Sequence, residues 1–374
     1  MKYLFLFSIL FLISCKTSQL TNLDNKTSVE AKVVQMGLLD AYPSGLKMDS
    51  VNFVYAEASA ALKMGDTMLI AIDKLTPKGT SPVFTVPVAD FDQATITNNQ
   101  VKYVTTAPFQ QVVKIEAMTK SVNDSVFFAT TAFDRIRGNA ADWDGYNALL
   151  TWQKPDFSDL AYVAGTERDG VTSSRDIRAS IQKVLTTSQF PNGAPYFKIE
   201  ALVALPGNRL IFGVREIGES YQKFDYSFTL LETTFKLVKG AVQIDPNFKK
   251  VYQFQPVVNG RKMGIADLVY HAASNSLIAL TSYEELGDEK TKQLTSSLWV
   301  LPVDKMQRGE APIPLWNKGK QIEFLHKGEA LALLDDRSLL VIFDEDRKDS
   351  QVMLSRKTVQ KQPHQVIYVV VKIK

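Results

Sequence analysis

Residues 198–216 read KIEALVALPGNRLIFGVRE: an apolar run holding one carboxylate, the turn-forming Pro206-Gly207-Asn208-Arg209, and a second apolar run. That order is the signature of two antiparallel strands joined by a tight turn. Ten positions separate Glu200 from Leu210, and the same interval separates Glu116 from Val126, Asp267 from Leu277 and Glu329 from Leu339. Each time a polar turn lies between them: Asn123-Asp124, Ser274-Asn275 and Asp335-Asp336-Arg337. A less regular fifth copy runs over 53–73, where Glu57-Ala58 precedes Gly65-Asp66 and the apolar run 68–72, displaced by about one residue.

The recurring acids are 59, 84, 67 and 62 residues apart. This period is too long for ankyrin or tetratricopeptide units. It suits propeller blades, whose four-stranded repeats run roughly 40 to 50 residues and lengthen with their loops. The expected fold is all-β: a β-propeller of four-stranded blades over 28–374, with five blades visible and a sixth if the longest interval hides one. Two further strands should follow each hairpin, and 226–231 and 249–254 supply them after Glu216, as 298–303 and a short piece near Ile313 do after Glu284. At the ends, 28–36 is a candidate strand and Gln365–Ile373 is rich in β-branched residues. Pairing the two would close the ring and remove exposed edges.

The longest interval, after Glu116, carries an insertion around 137–192. Within it, 175–185 has Ile177, Ile181, Val184 and Leu185 at spacings of three and four, which predicts a short helix. Long insertions in compact domains often carry function; the alternative is a covering loop with no ligand.

Residues 1–14 are Met1-Lys2 and an apolar run too short to span a bilayer as a permanent helix, which is the build of a signal peptide. The run ends in Leu12-Ile13-Ser14-Cys15, which resembles the lipobox of bacterial lipoproteins, in which the cysteine becomes the acylated first residue. The polar stretch 15–27 then reads as a tether. The expectation is a membrane partner reached through a lipid anchor at Cys15, with the outer membrane of a bacterial envelope as the location and the facing side open. Cys15 is the only cysteine, so the domain has no disulfide, no cysteine-based zinc site and no thiol catalysis. The chain is 45% hydrophobic and 22% charged with a formal charge of +3. That is enough for a large core, and the scattered Lys and Arg lack the basic field that nucleic-acid binding needs.

In a propeller the first strand of each blade lines the channel and the second runs back beside it. Starts of first strands (Glu57, Glu116, Glu200, Asp267, Glu329) and ends of second strands (Asp73, Asp134, Glu216, Glu284, Asp344) therefore share one rim. So much negative charge raises pKa values unless cations are close. Lys74, Arg135, Arg215, Lys327 and Arg347 each sit within a few residues of a rim acid, and bound calcium, which favours oxygen ligands, would serve too. Two readings stay open: the acids hydrogen-bond neighbouring blade backbones and cap strand ends, or they hold a metal or ligand, with Glu200 and Glu329 as first candidates. Asp142-Trp143-Asp144-Gly145-Tyr146-Asn147 has alternating oxygen ligands before a glycine, as calcium loops do, which makes Asp142 and Asp144 metal candidates; an ordinary Asp-Gly turn is the alternative. None of His271, His326 and His364 sits in a zinc-hydrolase motif. His326, beside Lys327-Gly328-Glu329, is the candidate general base, against a plain loop residue. Trp143, Trp152, Trp299 and Trp316 read as blade core.

Ile199-Glu200-Ala201-Leu202 with Pro206-Gly207-Asn208-Arg209-Leu210, and Gly328-Glu329-Ala330-Leu331-Ala332 with Asp336-Arg337-Ser338-Leu339 and Asp344, resemble the Glu-Gly-Leu-Ala…Asp-Gly-Arg-Leu…Asp pattern of phytase-like and esterase-like β-propellers. The resemblance covers the repeats from about residue 50 onward, with Ala in place of the family's Gly after the acid. It implies the propeller architecture and, among activities, calcium-dependent hydrolysis of phosphate esters. The functional expectation is a ligand- or protein-binding module with an acidic channel mouth. Its rival is a calcium-dependent phosphoesterase whose rim carboxylates hold the metal and whose metal lowers the pKa of an attacking water.

Overall fold

The computed structural model describes residues 28–136, 140–285, 292–345, 350–354 and 357–374. The signal-like segment, Cys15 and Arg347 lie outside the described residues.

Five antiparallel sheets built around four strands each follow one another along the chain, the third also carrying Ala241–Ile244 beside the end of Lys223–Val238. The first is Ala58–Met64, Thr67–Ile72, Val83–Pro87 and Lys102–Tyr103; the second is Ile115–Lys120, Phe127–Thr131, Leu149–Trp152 and Ala161–Tyr162. The third is Tyr196–Leu205, Arg209–Ser220, Lys223–Val238 and Lys249–Phe254; the fourth is Gly264–His271, Ser276–Glu284, Leu294–Pro302 and Ile313–Asn317. The fifth is Lys327–Asp335, Ser338–Asp344, Gln365–Ile373 and, as its outer strand, Val29–Asp40. First strands touch in cyclic order, sheet one to two, two to three, three to four, four to five and five back to one. The fold is a β-propeller.

The ring closes where the sequence placed the closure. Val29–Asp40 runs antiparallel to Gln365–Ile373, from Ala31 opposite Ile373 to Asp40 opposite Gln365, with a one-residue bulge between Val33 and Gln35. The N-terminal strand also touches residues 315–316 of the fourth sheet and 95–96 beyond the first, so its edges are covered.

Blade strands are apolar on both faces because each face meets a neighbouring sheet. Along Arg209–Ser220, Leu210, Phe212 and Val214 pack toward the second sheet while Ile211 packs toward the fourth. The core is accordingly five hydrophobic clusters, one in each gap between consecutive sheets. Trp152 and Trp299 belong to two of them, whereas Trp143 and Trp316 are half-buried.

The stretch 137–192 is only partly an addition to the blade plan. Leu149–Trp152 and Ala161–Tyr162 complete the second sheet, and beyond them come a small hairpin, Thr166–Arg168 with Val171–Ser173, and the helix Arg175–Val184. A two-residue outer strand leaves no periodic pattern in sequence, which is why this interval reads there as an insertion. The helix buries Ile177, Ile181 and the following Leu185 between the second and third sheets. Arg178 pins it: its Nε donates to Phe133 O at 3.1 Å, and its guanidinium lies 4.7 Å over the Phe197 ring. No helix among the described residues is long and apolar enough to cross a membrane.

Candidate functional site

The first strand of every sheet carries a one-residue bulge near its start, and the bulge decides which way each acid points. In the second, third and fifth sheets the extra residue is the glutamate itself, Glu116, Glu200 or Glu329. In the first and fourth sheets it is Ser59 or Ala266. Bulges bend a strand and re-aim the side chain that lacks a partner. Here they send three glutamates into the channel, where one oxygen from each lies within 4.8 Å of the others and all three residues are at most 3% exposed.

Two of the five recurring acids do something else. Asp267 is a backbone tie: its Oδ1 accepts from Leu268 N and its Oδ2 from Leu331 N of the next sheet, each at 2.7 Å. Glu57 lies out at the rim, 2.7 Å from the Lys74 ammonium. At the bulge of its sheet Ser59 makes the link instead, its hydroxyl donating to Ile115 O of the second sheet at 2.5 Å.

The glutamates are threaded with cations that stand two residues before them. Lys114, Lys198 and Lys327 precede Glu116, Glu200 and Glu329 in a repeated Lys-x-Glu. Lys198 bridges Glu200 and, at 3.2 Å, Glu116 of the neighbouring sheet. Lys114 reaches Asp134 at 3.0 Å and Glu116 at 3.6 Å, holding a left-handed backbone (φ 67°) to do so. Lys327 reaches Glu329 at 2.8 Å, Asp344 at 3.0 Å and Glu284 at 3.2 Å. Arg215, fully buried, completes the cluster at 2.9 Å from Glu200 and 3.5 Å from Glu216, with its Nη1 donating to Ser282 Oγ at 2.5 Å. Tyr196 donates to Glu216 at 2.5 Å, and Lys292 pairs with Glu284 at 2.6 Å.

Burial raises Glu116 to about 8, with Glu200 adding to it and Lys198 and Lys114 failing to cancel it. Glu57 is likewise pushed up to about 8, by burial and then by Asp344 and Asp73. Glu329 is raised by burial and by Glu200. Glu284 is held well below the usual carboxylate range, because Lys327 and Lys292 together outweigh the burial that pushes it up. Asp134 is lowered in the same sense, Lys114 and Arg135 overcoming burial. Lys198, Lys327 and Arg215 are all raised despite burial, since the glutamates around them outweigh it.

Above this cluster opens a cavity of about 690 Å³ whose polar lining is Lys74, Lys114, Arg135, Lys198 and Lys327 with Glu57, Asp73, Glu284 and Asp344. Of the first-strand acids only Glu57 reaches this mouth, beside Asp73, Glu284 and Asp344 from the second strands, and the mouth is not simply acidic: cations outnumber carboxylates on its wall, and the three channel glutamates lie beneath. Arg135 reaches Asp134 at 3.2 Å and stacks 4.3 Å over Tyr146, which also lines the cavity.

The remaining candidates lie apart. Asp144 is fully buried at the start of a single 3₁₀ turn, Asp144–Tyr146, and pairs at 2.7 Å with Arg168 of the small hairpin, while Asp142 is exposed; the segment is a turn that carries Tyr146. His326 is not on the cavity wall: its Nδ1 is 2.6 Å from Glu345 and its ring packs on Phe343. His271 closes a turn between Ser274 and Asp336 O, and His364 lies 3.7 Å from Asp40. Sequence reasoning missed Lys114 and Lys198, although the repeated Lys-x-Glu was there to find.

No family model matches the chain, and no curated protein matches its sequence. Among solved structures it is similar to the PQQ-bound aldose sugar dehydrogenase of Streptomyces coelicolor, at 10% identity over 93% of this chain and 99% of that one, with a TM-score of 0.41. A glycosyl hydrolase from Bacteroides ovatus follows at 8% identity, 85% and 84% coverage and a TM-score of 0.40. The nidogen/laminin complex is similar at 9% identity, 85% and 86% coverage and a TM-score of 0.37. Likenesses this distant carry no chemistry over to the chain.

Proposed function

We propose that this is an envelope lipoprotein, anchored through Cys15 to the outer membrane, whose propeller binds a small anionic ligand at the channel mouth. The observation that carries the ligand reading is the cavity wall, where Lys74, Lys114, Arg135, Lys198 and Lys327 converge over carboxylates already engaged with them. Cations outnumber carboxylates on that wall by five to four, and ammonium and guanidinium groups bind carboxylate or phosphate strongly when partly desolvated.

The calcium-dependent, phytase-like reading is the second. It is favoured by the convergence of Glu116, Glu200 and Glu329, each with one buried oxygen that accepts no hydrogen bond. Against it, those same oxygens lie within ion-pair distance of Lys198, Arg215 and Lys327. A metal would have to displace three cations, and phosphoester hydrolysis would need ligands beyond them.

Calorimetric titration of the protein with acetate, inorganic phosphate and calcium chloride tests both. Anion binding that weakens about tenfold in K74Q/R135Q, the scale of a lost hydrogen bond to a charged group, supports the first reading. Calcium binding without anion binding, abolished in E200Q/E329Q, overturns it in favour of the second.

A further inference from the structure

We infer that the ligand is amphiphilic: a carboxylate or phosphate headgroup on a short alkyl or aryl chain, the head on the lysine wall and the chain on an apolar lip beside it. The inference rests on the anion-binding reading and adds the chemistry of the rest of the ligand. The same cavity is also lined by Met48, Phe53, Val54, Tyr55 and Leu75. Three of these are large apolar side chains left in water: Met48 is 41% exposed, Phe53 45% and Leu75 58%. Single exposed apolar residues are ordinary on any surface. Three that line one cavity together with a cluster of cations make a two-part surface that a purely hydrophilic anion would leave partly unused.

The lip is held by Val54, buried between the fifth and first sheets, and by its own backbone. Met48 N donates to Asn52 O at 2.8 Å, and Asp49 Oδ1 accepts from Val51 N and Asn52 N, each at 2.8 Å. The Lys47 ammonium lies 5.7 Å over the Phe53 ring. Met48 and Phe53 are thus presented by a preformed turn, which spares a ligand the ordering cost of a mobile loop, and the polarisable Met thioether adapts to chains of different shape.

The propeller of residues 28–374, whose ring closes on its own terminal strands, is titrated calorimetrically with acetate, butyrate, hexanoate and octanoate below their micellar concentrations. Affinity is expected to rise roughly two- to fourfold per methylene. In M48S/F53S, which alters only exposed positions, that rise should vanish while acetate binds as before. Length-independent binding that K74Q/R135Q still weakens overturns the amphiphile inference and leaves the anion reading standing. A chain-length rise unchanged in M48S/F53S overturns it as well, because the chain would then lie elsewhere. Binding only to vesicles of anionic phospholipid overturns it in favour of a membrane surface. No binding of any carboxylate, of phosphate or of vesicles removes the anion reading and the inference with it.

Discussion

A Cβ on Gly264 would lie 2.7 Å from Cγ of Arg215. Gly264 stands two residues before the bulge of its strand, the place where Lys114, Lys198 and Lys327 stand in the second, third and fifth sheets. The fourth sheet thus leaves out its own cation and makes room for one from the third. Gly264→Ala forces Arg215 or Tyr226, 2.9 Å from the same point, to move, and overpacking of this kind costs about 1–3 kcal/mol. Urea denaturation should show the loss; an unchanged midpoint would mean that Arg215 has room to retreat.

Removing Arg215 tests whether it neutralises Glu200. Arg215→Met leaves a fully buried carboxylate with only the Lys198 that it shares with Glu116, and an uncompensated buried charge costs about 3–5 kcal/mol. Glu200→Gln in the same background removes the stranded charge. R215M/E200Q should therefore be more stable than R215M, with a coupling of about 0.5–3 kcal/mol. Additive denaturation energies would show that Arg215 acts through Ser282 and packing instead.

The blade plan was legible because buried hairpins repeat one interval and because Gln365–Ile373 is so strongly β-branched. What the interval hides is the bulge. Asp267 fits the spacing and Glu57 departs from it by about one residue; in the structure Glu57 lies two residues before the bulged Ser59 and Asp267 one after the bulged Ala266. A one-residue offset turns Asp267 away from the channel and a two-residue offset leaves Glu57 nearer the rim, so the five acids divide into three in the channel, one at the rim and one on a backbone. The second sheet's outer strand, Ala161–Tyr162, was illegible because two residues have no period. Lys292 follows a long connection at no repeated offset, so only the fold brings it to Glu284.

The same cluster sets how stability depends on pH. Glu57 and Glu116 rise from 4.5 to about 8 in the folded state, and Glu329 is raised too. A raised folded pKa means that the native state holds protons the unfolded chain has released, so the stability they lend is full below about pH 4.5 and is lost as pH climbs toward 8. Glu284 and Asp134 are depressed and work the other way, losing their contribution only as pH falls below their unfolded values of 4.5 and 3.8. His364, lowered by burial from 6.5, opposes the trend near neutrality, but it is one group against four, since burial raises Asp267 as well. Lys198 and Lys327, raised from 10.5, contribute fully throughout this window. The melting temperature should therefore be highest near pH 5 and fall steadily to pH 8. E57Q and E116Q, which cannot ionise, should each flatten that fall; equal slopes in wild type and both variants would show that the two glutamates are ionised in the folded protein across the whole range.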